Sequence, residues 1–237
     1  IFTSGSTGKP KGVMIPHSGG SNTCIDMNAR FGVTAQDTVL SLAALSFDLS
    51  VYDIFGVMAA GGTLVMPDHR RKGDPEHWLD MLEAHEVSVW NTAPPVMTML
   101  LDFVGSSIAA RERFTRLPLR LVLLSGDFIP LSMAPTLKGL LPSPDLAIIS
   151  LGGATEASIW SCWYPIEDVR AEWTSIPYGR ALGNQKLLVL DRDTLEPLPD
   201  LVSGEICIAG DGLARGYWGD EDKTAKAFVC LLYTSDA

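Results

Sequence analysis

Short, uninterrupted apolar runs alternate with longer amphipathic ones through the first two thirds of the chain, and this alternation constrains the fold more than any other feature. "TVLSLAAL" (Thr38 to Leu45), "GTLVMP" (62–67), "VSVWNTAP" (87–94), "LRLVLLSGD" (Leu119 to Asp127) and "LAIISLGG" (Leu146 to Gly153) predict strands. Between them, "DLSVYDIFGVMAAG" (Asp48 to Gly61), "DPEHWLDMLEAHE" (Asp74 to Glu86), "PVMTMLLDFVG" (95–105) and "LSMAPTLKGLL" (131–141) predict helices. Asp74 is placed to cap its helix, with Pro75 at the first helical position. Strands that are apolar on both sides belong to a largely parallel sheet covered by helices on both faces, an α/β fold. Such sheets bind ligands outside the carboxyl ends of their strands. That directs attention to the segments after Leu45, Leu124 and Ser150. Beyond about residue 160 the texture changes: "KLLVLD" and "GEICIAG" read as strands joined by turn-rich segments such as "EPLPDLVSG". The expected organisation is an α/β core over 1–160 and a β-rich subdomain over 161–229, without internal repeats.

Composition excludes several function classes. A net charge of -10 argues against a nucleic-acid partner, and the basic run His69-Arg70-Arg71-Lys72 is too short to reverse that. No apolar stretch approaches the ~18 to 20 residues that cross a bilayer, and no secretory leader is read at the start. Cys24, Cys162, Cys207 and Cys230 are scattered, and His17, His69, His77 and His85 have no ligand spacing. Free thiols in a reducing cytoplasm account for the cysteines more simply than zinc or redox chemistry.

Four segments carry the chemistry. "TSGSTGKPKG" (Thr3 to Gly12) holds three glycines, four hydroxyls and two lysines. Its glycines can turn backbone N–H groups toward an anion, and Lys9 and Lys11 add charge. It is not the usual nucleotide loop, because Pro10 stands where the second Gly is required. Pro10 also keeps Lys9 extended, so the segment reads as strand–loop–strand. A plain surface turn is the competing reading. In "SFDLSVYDIFG", Asp48 sits among apolar neighbours and shares a helix face with Tyr52. It is either the helix N-cap or a buried acid that needs a cation or donors. In "SLGGATEASIW", Thr155 and Glu156 follow a buried strand; they suit a phosphate and its Mg2+, or else cap a helical turn. "SGEICIAGDGLARGYWGDEDKTAKAF" is, by itself, a strand and its turns.

Together, in this order and spacing, these segments resemble the amino-acid adenylation domains of nonribosomal peptide synthetases, within the adenylate-forming superfamily. "IPYGRALGNQKLLVLD" resembles the family's Gly-Arg-Pro segment, and the likeness spans Ile1 to about Val229. The resemblance implies the large N-terminal domain of such an enzyme and the formation of aminoacyl-AMP from ATP and an amino acid. It implies ATP and Mg2+ as cofactors, and a phosphopantetheine-bearing carrier with condensation or heterocyclisation domains as neighbours. It assigns Thr3, Ser4, Gly5, Ser6, Thr7, Gly8, Lys9 and Lys11 to the phosphates, Gly126, Asp127, Gly152 and Gly153 to the nucleotide, Thr155 to the α-phosphate and Glu156 to Mg2+. Lys11, Thr155 and Glu156 would be the catalytic set. The substrate pocket would comprise Asp48, Leu49, Tyr52, Asn91, Leu123, Ser125, Leu151, Ile159 and Trp160. Asp48 would take the α-ammonium, and the set resembles that associated with L-cysteine. One departure stands out: the family's adenine-stacking Tyr is Gly152 here and its Pro is Ala154. Adenine must then be held in another way, or more loosely.

The family continues into Tyr-x-Thr-Gly-Asp and a lysine-bearing small C-terminal subdomain, which the sequence as read lacks. "CLLYTSDA" (Cys230 to Ala237) fits neither, since Ser235 stands where Gly is required, and it resembles a translated sequencing adapter. The expectation is a fragment, clipped at its start, with a non-native 230–237 tail and little turnover by itself.

Overall fold

The computed structural model describes residues 1–3 and 10–229. Its centre is a seven-stranded sheet of order β4-β3-β5-β6-β7-β8-β9. The strands are β3 (Thr38–Leu40), β4 (Thr63–Val65), β5 (Val89–Thr92), β6 (Leu121–Ser125), β7 (Ala147–Gly152), β8 (Cys162–Pro165) and β9 (Arg180–Ala181). The pairs from β4 through β7 are parallel; β8 and β9 add an antiparallel edge. Two antiparallel pairs stand apart from it: β1 (Phe2–Thr3) with β2 (Lys11–Gly12), and β10 (Gln185–Leu190) with β11 (Glu205–Gly210). The parallel sheet, the paired strands on either side of residues 4–9 and the later β-hairpin all match expectation. β8 and β9 lie past residue 160 yet extend the large sheet.

Helices cover both faces. α1 (His17–Phe31), α2 (Leu49–Val51) and α3 (Val57–Ala59) pack on one; α4 (Pro75–Ala84), α5 (Pro94–Ser106), α6 (Ile108–Phe114) and α7 (Met133–Leu140) pack on the other. A short α8 (Glu221–Ala227) follows β11. Successive strand residues point to opposite sides, so Trp90, Val122, Leu124 and Ile148 join one core layer, while Val89, Leu121, Leu123 and Ile149 join the other. Among the described residues, no helix is long and apolar enough to cross a membrane.

Local chemistry explains the element ends. Asp74 accepts from the N–H groups of Glu76 and His77, with Pro75 opening α4 as expected. Pro135 sits in the first turn of α7, where its missing N–H leaves no helical bond unmade. Two expectations need correction. The strand expected over Thr38 to Leu45 stops at Leu40; the Ser41 N–H still bonds Val65, but Leu45 is exposed, and the chain crosses toward the next helix. The helix expected over Asp48 to Gly61 is broken by a π-helical turn, Tyr52–Gly56, between α2 and α3. Gly56 allows that turn, since a Cβ there would fall 2.4 Å from the Tyr52 ring. The Asn28 side chain donates to the Gly56 carbonyl at 2.7 Å. Such bulges concentrate at functional sites.

Candidate functional site

A cleft of about 530 Å³ opens beyond the carboxyl ends of β6 and β7. Four pieces of chain surround it: Thr3 and Lys11 from the β1–β2 pair, Phe47-Asp48-Leu49 entering α2, Ser125 to Ile129 after β6, and Ser150 to Glu156 with Ile159 and Trp160 after β7. Ser175 to Tyr178 close the remaining side. Residues far apart in sequence thus meet at the edge where parallel sheets bind ligands.

Asp48 sits at the start of α2, yet its side chain makes no capping hydrogen bond. Instead its carboxylate accepts from the Thr155 hydroxyl at 2.6 Å. Only 9% of Asp48 is exposed. Burial pushes its carboxyl above the usual range, the Thr155 hydroxyl and nearby backbone N–H groups pull it back in part, and the Glu156 charge adds to the rise. Between the two readings of Asp48, the geometry rejects the cap.

Glu156 is tied by a residue that sequence reasoning did not single out. The Tyr217 phenol donates to Glu156 Oε1 at 2.6 Å, and Lys11 Nζ stands 4.9 Å from the centre of the same ring. Burial and Glu156 push that phenol up to about 12, so it stays a donor. Lys11 and Glu156, both on the cleft, are joined through Tyr217, and Thr155 and Asp48 form a second pair there. Tyr217 was visible in "ARGYWG", but nothing in a strand-and-turn pattern marks one of its aromatics as a ligand to an acid. No cluster of three or more His, Cys, Asp and Glu side chains exists among the described residues. A magnesium ion that keeps waters and phosphate oxygens needs only one or two carboxylates, which Glu156 can supply.

Of the expected pocket residues, Leu49, Ser125, Leu151, Ile159 and Trp160 line the cleft with Asp48. Trp160 donates its indole N–H to Ser125 Oγ at 2.9 Å. Ser158 and Ile159 have φ of 61° and 75°, a strained conformation for a β-branched side chain. It is held because Thr23 donates to the Ser158 carbonyl and Ser158 donates to the Gly212 carbonyl. Tyr52, Asn91 and Leu123 are fully buried beneath the cleft rather than along it. The Tyr52 phenol donates to Asn28 at 3.0 Å, and its ring packs on Trp160 with centres 5.2 Å apart. Asn91 donates to Asp53 at 2.8 Å. Gly126, Asp127, Gly152 and Gly153 border the cleft as well. Ser4, Gly5, Ser6, Thr7, Gly8 and Lys9 lie outside the described residues.

Gly152 stands where the family it resembles has a tyrosine, and an aromatic lies beside it. A Cβ built on Gly152 would fall 2.4 Å from Cε2 of Tyr178 and 2.7 Å from the Cys162 sulfur. The Tyr178 ring therefore occupies the space a larger residue at 152 would fill, and it faces the cleft. Sequence alone gave no signal for this, because residues 152 and 178 meet only across the β7–β8–β9 edge.

Comparisons with known proteins agree with this geometry. The AMP-binding enzyme family matches residues 1–218. Over 229 residues the chain is 52% identical to pyochelin synthetase PchF of Pseudomonas aeruginosa, covering 97% of this chain and 12% of that protein. It is 44% identical to bacitracin synthase 1 of Bacillus licheniformis, again over 97% of this chain but 4% of the relative. The chain therefore spans a small fraction of the relatives it matches. Among solved structures, the nonribosomal peptide synthetase FmoA3 bound to α-methyl-L-serine-AMP superposes with a TM-score of 0.90 at 39% identity, covering 99% of this chain and 25% of that one. FmoA3 has also been solved bound to AMPPNP. By sequence and by fold, this chain belongs to the AMP-binding enzyme family.

Proposed function

We propose that the chain forms the ATP and amino-acid site of an adenylating enzyme of nonribosomal peptide synthesis, and that its amino acid is L-cysteine. A carboxylate oxygen of the amino acid attacks the α-phosphorus of ATP. The bond from that phosphorus to the β-phosphate bridging oxygen breaks, giving aminoacyl-AMP and pyrophosphate. The protein supplies position and charge rather than covalent chemistry. Asp48 receives the α-ammonium, and the Thr155 hydroxyl turns from Asp48 to the α-phosphate. Glu156 holds Mg2+, which neutralises phosphate charge when bound. Lys11 and Thr3 face the β- and γ-phosphates. Gly126, Asp127, Gly152 and Gly153 border the adenine, and Tyr178 stands in for the missing tyrosine.

The observation that carries this reading is Asp48, an acid almost out of solvent, open to the cleft, with a hydroxyl partner and no cation among the described residues. A bound ammonium supplies what it lacks. An aryl or fatty acid brings none. Cysteine fits the rest of the site: Leu49, Leu151, Ile159 and Trp160 are apolar, Ser125 Oγ accepts from Trp160, and Asn91 donates to Asp53. A thiol is desolvated cheaply, whereas an unpartnered hydroxyl costs roughly 1 to 3 kcal/mol. The synthetase relatives support carrier, condensation or heterocyclisation neighbours in a larger protein, and the unit expected over 161–229 gives its first strands, β8 and β9, to the large sheet. Free Cys24, Cys162 and Cys207 suit a cytoplasmic setting.

Calorimetry with sulfamoyl-adenosine analogues tests this reading on the chain itself. Cysteinyl-sulfamoyl-adenosine should bind about tenfold tighter than the seryl analogue. Asp48→Asn should weaken both by about a hundredfold. A benzoyl analogue that binds tighter than either would defeat the amino-acid reading.

A further inference from the structure

Asp53 is a buried acid that the activation chemistry leaves unused. It lies in the π-helical turn, five residues after Asp48, and is completely out of solvent. One oxygen, Oδ1, accepts from Asn91 Nδ2 at 2.8 Å. The other, Oδ2, has no partner, and neither does Asn91 Oδ1. An ionised Asp53 leaves these two buried acceptors stranded, which is costly. One proton on Asp53 Oδ2, donated to Asn91 Oδ1, would satisfy both and join acid and amide by two bonds.

Asn91 is well placed for such a pair to matter. It is in register with Leu123, and Leu123 with Ile149. Two residues further along those strands, on the same face, Ser125 and Leu151 line the cleft. The Asn91 amide also reaches toward the Leu49 carbonyl at 3.5 Å, and Leu49 lines the cleft too. The pair therefore forms the layer directly beneath the proposed amino-acid pocket.

We propose that Asp53, as a neutral carboxylic acid, is a positioning residue that engages both ends of the Asn91 amide and so denies that amide to a substrate hydroxyl. This deepens the cysteine reading and rests on it. Selection against serine then comes from a floor whose Asn91 amide is engaged at both ends. Burial pushes the Asp53 carboxyl up to about 7, offset in part by Asn91 and Ser41, so the neutral acid prevails below neutrality. When Asp53 ionises it can no longer donate. Asn91 Oδ1 is released, and a serine hydroxyl gains an acceptor. The groups facing Asp53 are the Ser41 hydroxyl beyond β3 and the Asn91 amide of β5. Next to it on its own turn is the Tyr52 phenol, whose surroundings include Cys24, Asp37 and Arg120. Tyr52 is pushed up by burial, Cys24 likewise to about 11, and Asp37 is held low by Arg120 and its other donors despite its burial, so none changes charge near neutrality.

The test measures Kd for cysteinyl- and seryl-sulfamoyl-adenosine at pH 6 and 8.5, on the full chain and on Asp53→Asn. The amide in Asp53→Asn keeps one donor and one acceptor toward Asn91 at every pH. The wild-type preference for the cysteinyl analogue should shrink about tenfold between pH 6 and 8.5, the factor one hydrogen bond is worth. Asp53→Asn should hold its preference across the range. It shares every other pH effect, including ionisation of the cysteinyl thiol, so the difference isolates Asp53. Asp53→Leu should show the reduced preference at both pH values. Equal pH responses in wild type and Asp53→Asn would overturn the inference and leave the cysteine reading intact. Wild type that binds neither analogue would remove the amino-acid reading and this inference with it.

Discussion

Trp90 and Asn91 are neighbours in β5, yet they enter two different interiors. Trp90 points to the side of α4 to α7, into the core layer that also holds Trp78, Leu79, Leu100, Phe114 and Leu137. There its indole N–H is met by Thr92 at 2.7 Å. Asn91 points to the side of α1, α2 and α3, where Asp53, Asp48, Ser125 and Ser158 are also buried. The first face is an apolar layer of the kind that holds a fold together. The second gives up apolar area for polar groups with few partners. Such groups destabilise unless something needs them, and they collect beneath the cleft. Real proteins break local rules where they work, so the difference between faces locates the site independently of any motif.

Trp90→Ala should show the largest effect, because it leaves a large cavity in a close-packed layer. Urea denaturation should register a loss of about 3 to 5 kcal/mol. The protein that remains folded should keep its preference between cysteinyl and seryl analogues. Asn91→Leu should do the reverse, with the preference altered and a smaller stability loss of about 1 to 3 kcal/mol from the unpaired Asp53. If Trp90→Ala shifts the preference as much as Asn91→Leu does, the two faces are not separable.

A second effect of similar ceiling sets Asp53 against the apolar face, which has no buried carboxylate to match it among the described residues. The folded-state value of Asp53 is about 7, against 3.8 for a free side chain. Between these values the folded state binds more protons than the unfolded state. This group's contribution to stability therefore falls as pH rises from about 4 to 7, and it stays low above that. Asp53→Asn removes the slope. The stability of Asp53→Asn relative to wild type should rise across that window by at most roughly 4 kcal/mol. Parallel pH profiles for the two proteins would show that Asp53 is not the buried acid its surroundings imply.

The sheet was legible because its signal is local: five apolar runs with turn residues at their ends give β3 to β7. The caps at Asp74 and Pro75 were equally local. α1 was missed because Gly19, Gly20, Ser21 and Asn22 weaken its helical pattern; tertiary contacts such as the Thr23 bond to Ser158 hold it instead. The π-helical turn was missed because it depends on the Tyr52 ring lying against Gly56, and periodicity does not report that. The candidate site divides in the same way. Lys11, Asp48, Thr155 and Glu156 could be named from motifs, and the cleft gathers them. Tyr178, Tyr217 and Asp53 could not, since each acts on a partner at least 26 residues away in sequence (Gly152, Glu156 and Asn91 respectively). Asp53 did carry a faint signal, an acid among Val51, Tyr52, Ile54 and Phe55, but Asp48 beside it drew the same argument more strongly.

The smallest effect concerns the rim of the second face, where Tyr178 leans over Gly152. If its ring holds the adenine, Tyr178→Ala should weaken AMP binding by roughly 1 to 3 kcal/mol, the range for one base stacked on an aromatic side chain. That loss alone would not separate stacking from damage to the β8–β9 edge. The exchange of positions does. In the wild type, Gly152→Tyr forces a new side chain into the Tyr178 ring and the Cys162 sulfur, so it should weaken AMP binding and lower stability. In Tyr178→Ala the same substitution enters a vacated space and brings a ring back to the cleft, so it should recover AMP affinity. One substitution with opposite signs in two backgrounds is the mark of two residues sharing one volume and one task. Were Gly152→Tyr harmful in both, Tyr178 would be packing against the strand edge, and the adenine would have to rest on another apolar wall of the cleft, such as Phe47, Phe128 or Ile176.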